Sequence, residues 1–251
     1  MLKKTLNALS ESNIFTALCA AQFYIYYGKL FHAPISYPLL MSIFLGTLLS
    51  YSLVQSPKNL FKQPLTVLPK FFMFLAMILL FLTFFLSWQN VLILFHLFMI
   101  VVLYESPFLK HNNIRHIPYI KPFIISYVWA VIGLVFFTTH FDLFVILLFA
   151  DAFLFIFALT LLFDLRDIQL DKVNQLPTIA GALGISQLKI LSCSIFFAHL
   201  GIEYFMTGQT HGFYLLPIFL SLIFFAKING PRYYFIFGVD SLIFLRPFVL
   251  S

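Results

Sequence analysis

The dominant pattern along the chain is long, nearly unbroken apolar runs separated by short polar breaks. Nine such runs are read, at about 14–31, 37–55, 68–87, 89–105, 121–139, 141–163, 186–206, 211–228 and 231–250. Each approaches the roughly 20 residues that a helix needs to cross a hydrocarbon core about 30 Å thick. Within lipid the backbone must satisfy its own hydrogen bonds, which leaves helices or closed barrels. Barrel strands alternate polar and apolar positions, and runs such as Phe71 to Leu86 do not. The pattern predicts an all-α integral membrane protein: one transmembrane helical domain over residues 1–251, built as a nine-helix bundle. The third and fourth runs meet at little more than Ser87-Trp88-Gln89, and Pro217 predicts a kink in the eighth.

Composition narrows this further. Of 251 residues, 62% are hydrophobic and 10% charged, against about 25% charged in a soluble domain. The net charge of +6 does not point to nucleic acid, because the basic residues fall in the breaks between runs. There they set orientation and meet anionic lipid headgroups. Cys19 and Cys193 both lie inside apolar runs and read as buried thiols, not as a disulfide framework. The amino terminus has Lys3 and Lys4 ahead of an apolar run, as a signal peptide does. The polar stretch Asn7 to Asn13 and the lack of a small-residue cleavage pattern predict an uncleaved first span instead.

Lysine and arginine then fix a direction. With the amino terminus inside and nine spans, thirteen of the 15 basic residues collect on the inner face, leaving Lys29 and Arg246 outside. The longer connections, 2–3, 4–5 and 6–7, fall on that same inner face, where a rigid scaffold commonly carries function. For a bacterial chain this means the inner membrane, with the amino terminus and the loop after residue 163 in the cytoplasm.

That loop holds the most informative stretch, Phe163-Asp164-Leu165-Arg166-Asp167-Ile168-Gln169-Leu170-Asp171-Lys172. Aspartates at i, i+3 and i+7 share one face of a helix that continues the sixth span. Like charges at helical spacing repel, and carboxylates near a helix carboxyl end oppose the macrodipole. A divalent cation offsets both penalties, and hard oxygen ligands suit Mg²⁺ completed by substrate phosphates. Arg166 and Lys172 then stand beside it to hold a diphosphate's remaining charge. The alternative from spacing alone is a solvated acidic–basic segment that merely ends a span.

Asp164-x-x-Asp167-x-x-x-Asp171, followed by Leu176-Pro177-Thr178 and Gly184, resembles the second aspartate motif of the UbiA superfamily of intramembrane prenyltransferases. The resemblance implies a UbiA-like nine-helix bundle with Mg²⁺ bound around an isoprenoid diphosphate. It implies transfer of the prenyl group to a lipid-soluble acceptor, an aromatic or quinone precursor. Asp164, Asp167 and Asp171 are then the catalytic metal ligands, and Arg166, Lys172, Lys110 and Arg115 diphosphate contacts. The chain departs from the family in the 2–3 loop. There Tyr51 to Lys62 carries no acid, and only Glu11 and Glu105 precede Asp142 as carboxylates. Lys58 and Lys62 are able to meet phosphate oxygens as point charges, but not to ligate Mg²⁺. Glu105 is the one acid placed to substitute. Two readings follow: an active prenyltransferase with half the metal cage, or a non-catalytic protein of the same fold that binds an isoprenoid or quinone, or scaffolds a membrane complex. A small transporter is a distant third, because paired Gly/Pro-broken helices are not seen.

Asp151, Asp240, His199 and Glu203 also lie inside the runs. Asp151 and Asp240 fall near mid-membrane by residue count, where acids are expensive; the plain reading is a protonated acid bonded to a neighbouring helix. His199 and Glu203, at i and i+4, read as a hydrogen-bonded pair nearer the outer leaflet. The 35 phenylalanines suit either lipid contact or a prenyl cavity.

Overall fold

The computed structural model describes residues 12–55, 76–104, 114–138, 140–208 and 211–249. Lys58, Lys62, Lys110, Glu11 and Glu105 lie outside the described residues. The described chain is helical throughout, with no strand among the described residues.

The helices follow the apolar runs closely. They are α1 (Ile14–Leu30), α2 (Tyr37–Gln55), α3 (76–83), α4 (Trp88–Tyr104), α5 (Ile120–Leu134), α6 (Leu143–Val173), the short α7 (Ile179–Leu183), α8 (Ile185–Thr207), α9 (Leu216–Phe225) and a composite α10 (232–249). Among the described residues, three helical stretches are long and apolar enough to cross a membrane: Ile120–Phe137, Leu143–Val173 and Ile185–Thr207. Shorter apolar helices accompany them at Tyr37–Tyr51, Trp88–Tyr104 and Gly212–Phe225. Such a set points to a membrane protein.

Two elements differ from the sequence pattern. Pro217 does not kink a continuous helix. It sits in the first turn of α9, just after the 3-10 turn His211–Leu215, where its missing N–H leaves no intrahelical bond unmade. The last run is not a plain α-helix either, because Phe235–Val239 widens into a π-turn before Asp240–Val249 resumes the α form.

α6 organises the bundle, packing between α5 and α8. α1 in turn packs on α2, α5 and α10. Fully buried aromatics fill the centre, among them Phe23, Tyr27, Phe155 and Phe196. At 31 residues α6 is about 46 Å long by helical rise. That exceeds a hydrocarbon core by several turns; because the apolar run stops at Phe163, the sequence expectation is that the last turns, from Asp164 onward, form the end that projects beyond the span. Asp142 starts the helix by accepting a hydrogen bond from Val145 N at 2.8 Å.

Candidate functional site

The three aspartates of the projecting end of α6 lie on its inward side. Asp164 is 1% and Asp171 2% exposed, and Asp167 sits at the margin. Asp164 and Asp171 do not face water. All three converge on Lys121 in the first turn of α5, whose Nζ lies 2.7 Å from Asp164 Oδ1 and 3.7 Å from both Asp167 Oδ2 and Asp171 Oδ2. The local backbone explains why Lys121 is there. Tyr119 takes a left-handed conformation (φ 64°) that turns the chain into α5, and its N–H donates to Pro177 O at 2.9 Å. The start of α5 is thereby pinned to the turn that follows α6.

Arg166 lies against Asp167 as a bidentate partner, with Nε and Nη2 donating to its two carboxylate oxygens at 2.6 and 2.9 Å. The same guanidinium stands over the rings of Phe163 and Phe235, and Arg166 O accepts from Asn229 N. Arg115, on the 3-10 turn Ile114–His116, acts electrostatically on Asp171. Among the described residues, the three carboxylates are thus balanced by Lys121, Arg166 and the more distant Arg115, which leaves this set formally neutral. Burial pushes the carboxyls of Asp164 and Asp171 up from the usual carboxylate range, and Lys121 draws both back down. Lys172 is exposed on α6.

The donor set has the chemistry that Mg²⁺ takes, and Asp164 Oδ2 is a buried oxygen with no hydrogen bond among the described residues. The charge arrangement does not fit a metal: the point between the carboxylates already holds an ammonium, and Arg166 occupies both oxygens of Asp167.

From this cluster an aromatic stripe runs along α5 and α6. Phe157 precedes Asp164 by seven residues and hence lies on the same face. Phe123, Phe153 and Phe157 pack ring to ring, with centroids 4.8–6.3 Å apart. Next come Phe149 and Tyr127, 6.1 Å apart, which open into a groove of about 480 Å³ between α4, α5 and α6. Leu92, Ile93, Val131, Val135 and Ile146 line the groove, and His96 Nε2 is 3.0 Å from Tyr127 Oη at its edge.

A second polar cluster sits about 20 Å away along α6, thirteen residues before Asp164. Asp151 Oδ1 is 2.6 Å from His199 Nδ1, and Asp151 Oδ2 accepts from Tyr27 Oη at 3.0 Å and from Arg246. His199 Nε2 lies 3.5 Å from Glu203 Oε2. One ligand atom each from Asp151, His199 and Glu203 fall within 4.8 Å of one another, a spacing that permits a metal ion. Arg246 and Tyr27 already neutralise and bond Asp151, so a charged network is the simpler description. Elsewhere, Asp240 accepts from Thr16 Oγ1 at 3.1 Å.

The sequence singled out the aspartates but gave no site role to Lys121 or Arg246. Both pairings are tertiary, made across helices, and no spacing along one helix announces them. A basic residue at the first helical position after the 4–5 break was the only available signal.

No family model matches the chain, and no curated protein matches it. Among solved structures, the chain is similar to the apo structure of a UbiA homolog from Aeropyrum pernix K1. The TM-score is 0.66 at 14% identity, over 94% of this chain and 98% of that one. It is also similar to a digeranylgeranylglyceryl phosphate synthase, with a TM-score of 0.57 at 15% identity, over 100% of this chain and 98% of that one. At these identities the likeness establishes the fold: this chain has the UbiA-type helical architecture.

Proposed function

We propose that the chain is an intramembrane prenyltransferase of the UbiA type. On this reading the Lys121–aspartate–arginine cluster holds the diphosphate of an isoprenoid diphosphate, and the groove between α5 and α6 takes its hydrocarbon chain. The observation that carries it is the buried charged cluster at one end of α6, joined by the packed rings of Phe123, Phe157 and Phe153 to an apolar groove farther along the same helices, on a fold shared with a UbiA homolog.

Prenyl transfer breaks the bond between C1 of the chain and the diphosphate oxygen, leaving an allylic cation and free diphosphate. An electron-rich acceptor, an aromatic ring or quinone precursor, then bonds to C1 and gives up a proton. The leaving group gathers negative charge, and fixed positive groups aimed at it lower the barrier. Lys121, Arg166 and Arg115 are those groups here, and the three aspartates hold them in place. The rings of Phe123 and Phe157 flank the path where the cation forms, and their faces favour positive charge. In the cellular orientation expected from the basic residues, the diphosphate enters from the cytoplasm and the chain from the bilayer.

The test uses purified protein in lipid nanodiscs with geranylgeranyl diphosphate and a panel of aromatic acceptors. Prenylated product is read by mass spectrometry and released diphosphate by a coupled assay, each with and without Mg²⁺. Product is expected from the wild type, and Lys121→Met should lower the rate by about 10²-fold, as loss of one preorganised charge-stabilising donor does. The formal neutrality of the cluster favours a second reading, a non-catalytic isoprenoid-binding protein. Tight binding of the diphosphate with no product across the panel would select it.

A further inference from the structure

We propose that Lys121 is a built-in counter-cation of the aspartate triad, standing where a divalent metal would otherwise be needed, so that the site works without a resident metal ion. The inference deepens the functional reading above and rests on it for what the cation is for, but not for whether the cation is there.

Three carboxylates on one helix face cannot stay ionised and buried without positive charge among them. A metal is one supply; the structure shows another. The Lys121 ammonium lies within 4 Å of all three acids, at 2.7, 3.7 and 3.7 Å. It belongs to a different helix, one whose first turn is tied to the end of α6 through Tyr119 N and Pro177 O. The placement is thus a property of the fold and not of one flexible side chain alone. A dication entering the same carboxylates would meet this ammonium at contact range, and like charges at that range repel strongly. Arg166 closes a second route by taking both oxygens of Asp167.

The same geometry shows how a lysine does the work of a bridge. An ammonium has three N–H donors. Asp164 Oδ1 is within hydrogen-bond distance, whereas Asp167 and Asp171 stand beyond it at 3.7 Å. Among the described residues its other donors meet only these ion-pair contacts, and a phosphate oxygen brought close would compete for them. Asp164 keeps the lysine anchored, and its buried Oδ2 has no hydrogen bond of its own among the described residues. The acids therefore position Lys121, and Lys121 touches the substrate.

The test reads metal directly, without any isoprenoid. Mn²⁺ binding to purified wild type, Lys121→Met and Lys121→Met/Asp164→Asn is followed by electron paramagnetic resonance. Wild type should show no Mn²⁺ site at micromolar to low millimolar metal. Lys121→Met should gain one site at least tenfold tighter than anything in wild type, and the added Asp164→Asn should remove it. A Lys121→Met variant that folds only when Mn²⁺ is supplied also supports the inference. If the variant does not fold at all, the wild type decides alone: its unfolding temperature should not move with millimolar Mg²⁺, because nothing binds the folded state. A wild-type Mn²⁺ site lost on Asp167→Asn, or an Mg²⁺-dependent rise in unfolding temperature abolished by that change, overturns the proposal. So does a folded Lys121→Met that gains no site. A parallel titration with geranylgeranyl diphosphate in EDTA separates the two readings. Binding that survives EDTA agrees with both. No isoprenoid binding under any condition removes the functional reading while leaving the Mn²⁺ result to stand. Binding only when Mg²⁺ is present contradicts the built-in cation.

Discussion

Asp151 is a carboxylate at 2% exposure in the middle of the bundle, and its partners decide whether it is tolerable there. Arg246 supplies the charge, held 4.4 Å from the Tyr26 ring and 4.6 Å from the Phe155 ring. His199 and Tyr27 complete the contacts. Removing one member of a buried ion pair strands the other, at a cost of about 3–5 kcal/mol, whereas replacing both by apolar groups is often near neutral. Arg246→Met is therefore expected to destabilise the protein by about that amount in a reversible unfolding titration. The double variant Arg246→Met/Asp151→Leu should recover most of the loss. Additive losses in the double variant would show that the two residues do not act as a pair. The acid was legible in the sequence because ionisable residues in apolar runs stand out. Its arginine was not, since residue count placed Arg246 near the outer end of the last span and the pairing joins positions 95 apart. Lys121 was hidden for the same reason.

Periodicity made the helices readable. Apolar runs become helices in lipid because no other open structure satisfies the backbone, so most boundaries agree to within a few residues. The aspartate face was equally legible, because 3.6-residue spacing is a property of one element. What spacing does not carry is how two helices meet. α1 and α5 approach closely at Gly133, where an added Cβ would lie 2.7 Å from Tyr27 Cδ2 and 3.0 Å from Phe23 Cε1. Tyr27 is fixed by Asp151 and Arg246, so it does not yield easily. Gly133→Ala is expected to lower stability by about 1–3 kcal/mol, as overpacking does, read in the same titration; an unchanged midpoint would mean that the helices separate freely. The groove makes its own prediction at this scale. Ile146 lines it and is half exposed, so Ile146→Trp should fill it without disturbing the core. Binding of geranylgeranyl diphosphate should weaken about tenfold, while dimethylallyl diphosphate, too short to reach, should bind as before. Equal weakening of both would place the chain elsewhere.

At the scale of the whole molecule, two polar clusters lie about 20 Å apart on α6, one proposed as the working end and the other buried in the packed interior. The basic residues predict that the working end faces the cytoplasm. In a cysteine-free background, Val173→Cys should be labelled only from the inner side, and His32→Cys only from the outer; the reverse pattern would invert the protein and its proposed substrate route. Similar architecture to that of a UbiA homolog at 14% identity shows that very different sequences can build this bundle. On the proposed reading, function is decided at the charged cluster. The most direct test is a structure with a non-hydrolysable geranylgeranyl diphosphate analogue bound. Both phosphorus atoms should lie against Lys121, Arg115 and Arg166, with the chain running past Phe157 and Phe153 toward Phe149. A diphosphate bound away from Lys121, or a chain lodged beside Asp151 and His199, would contradict it.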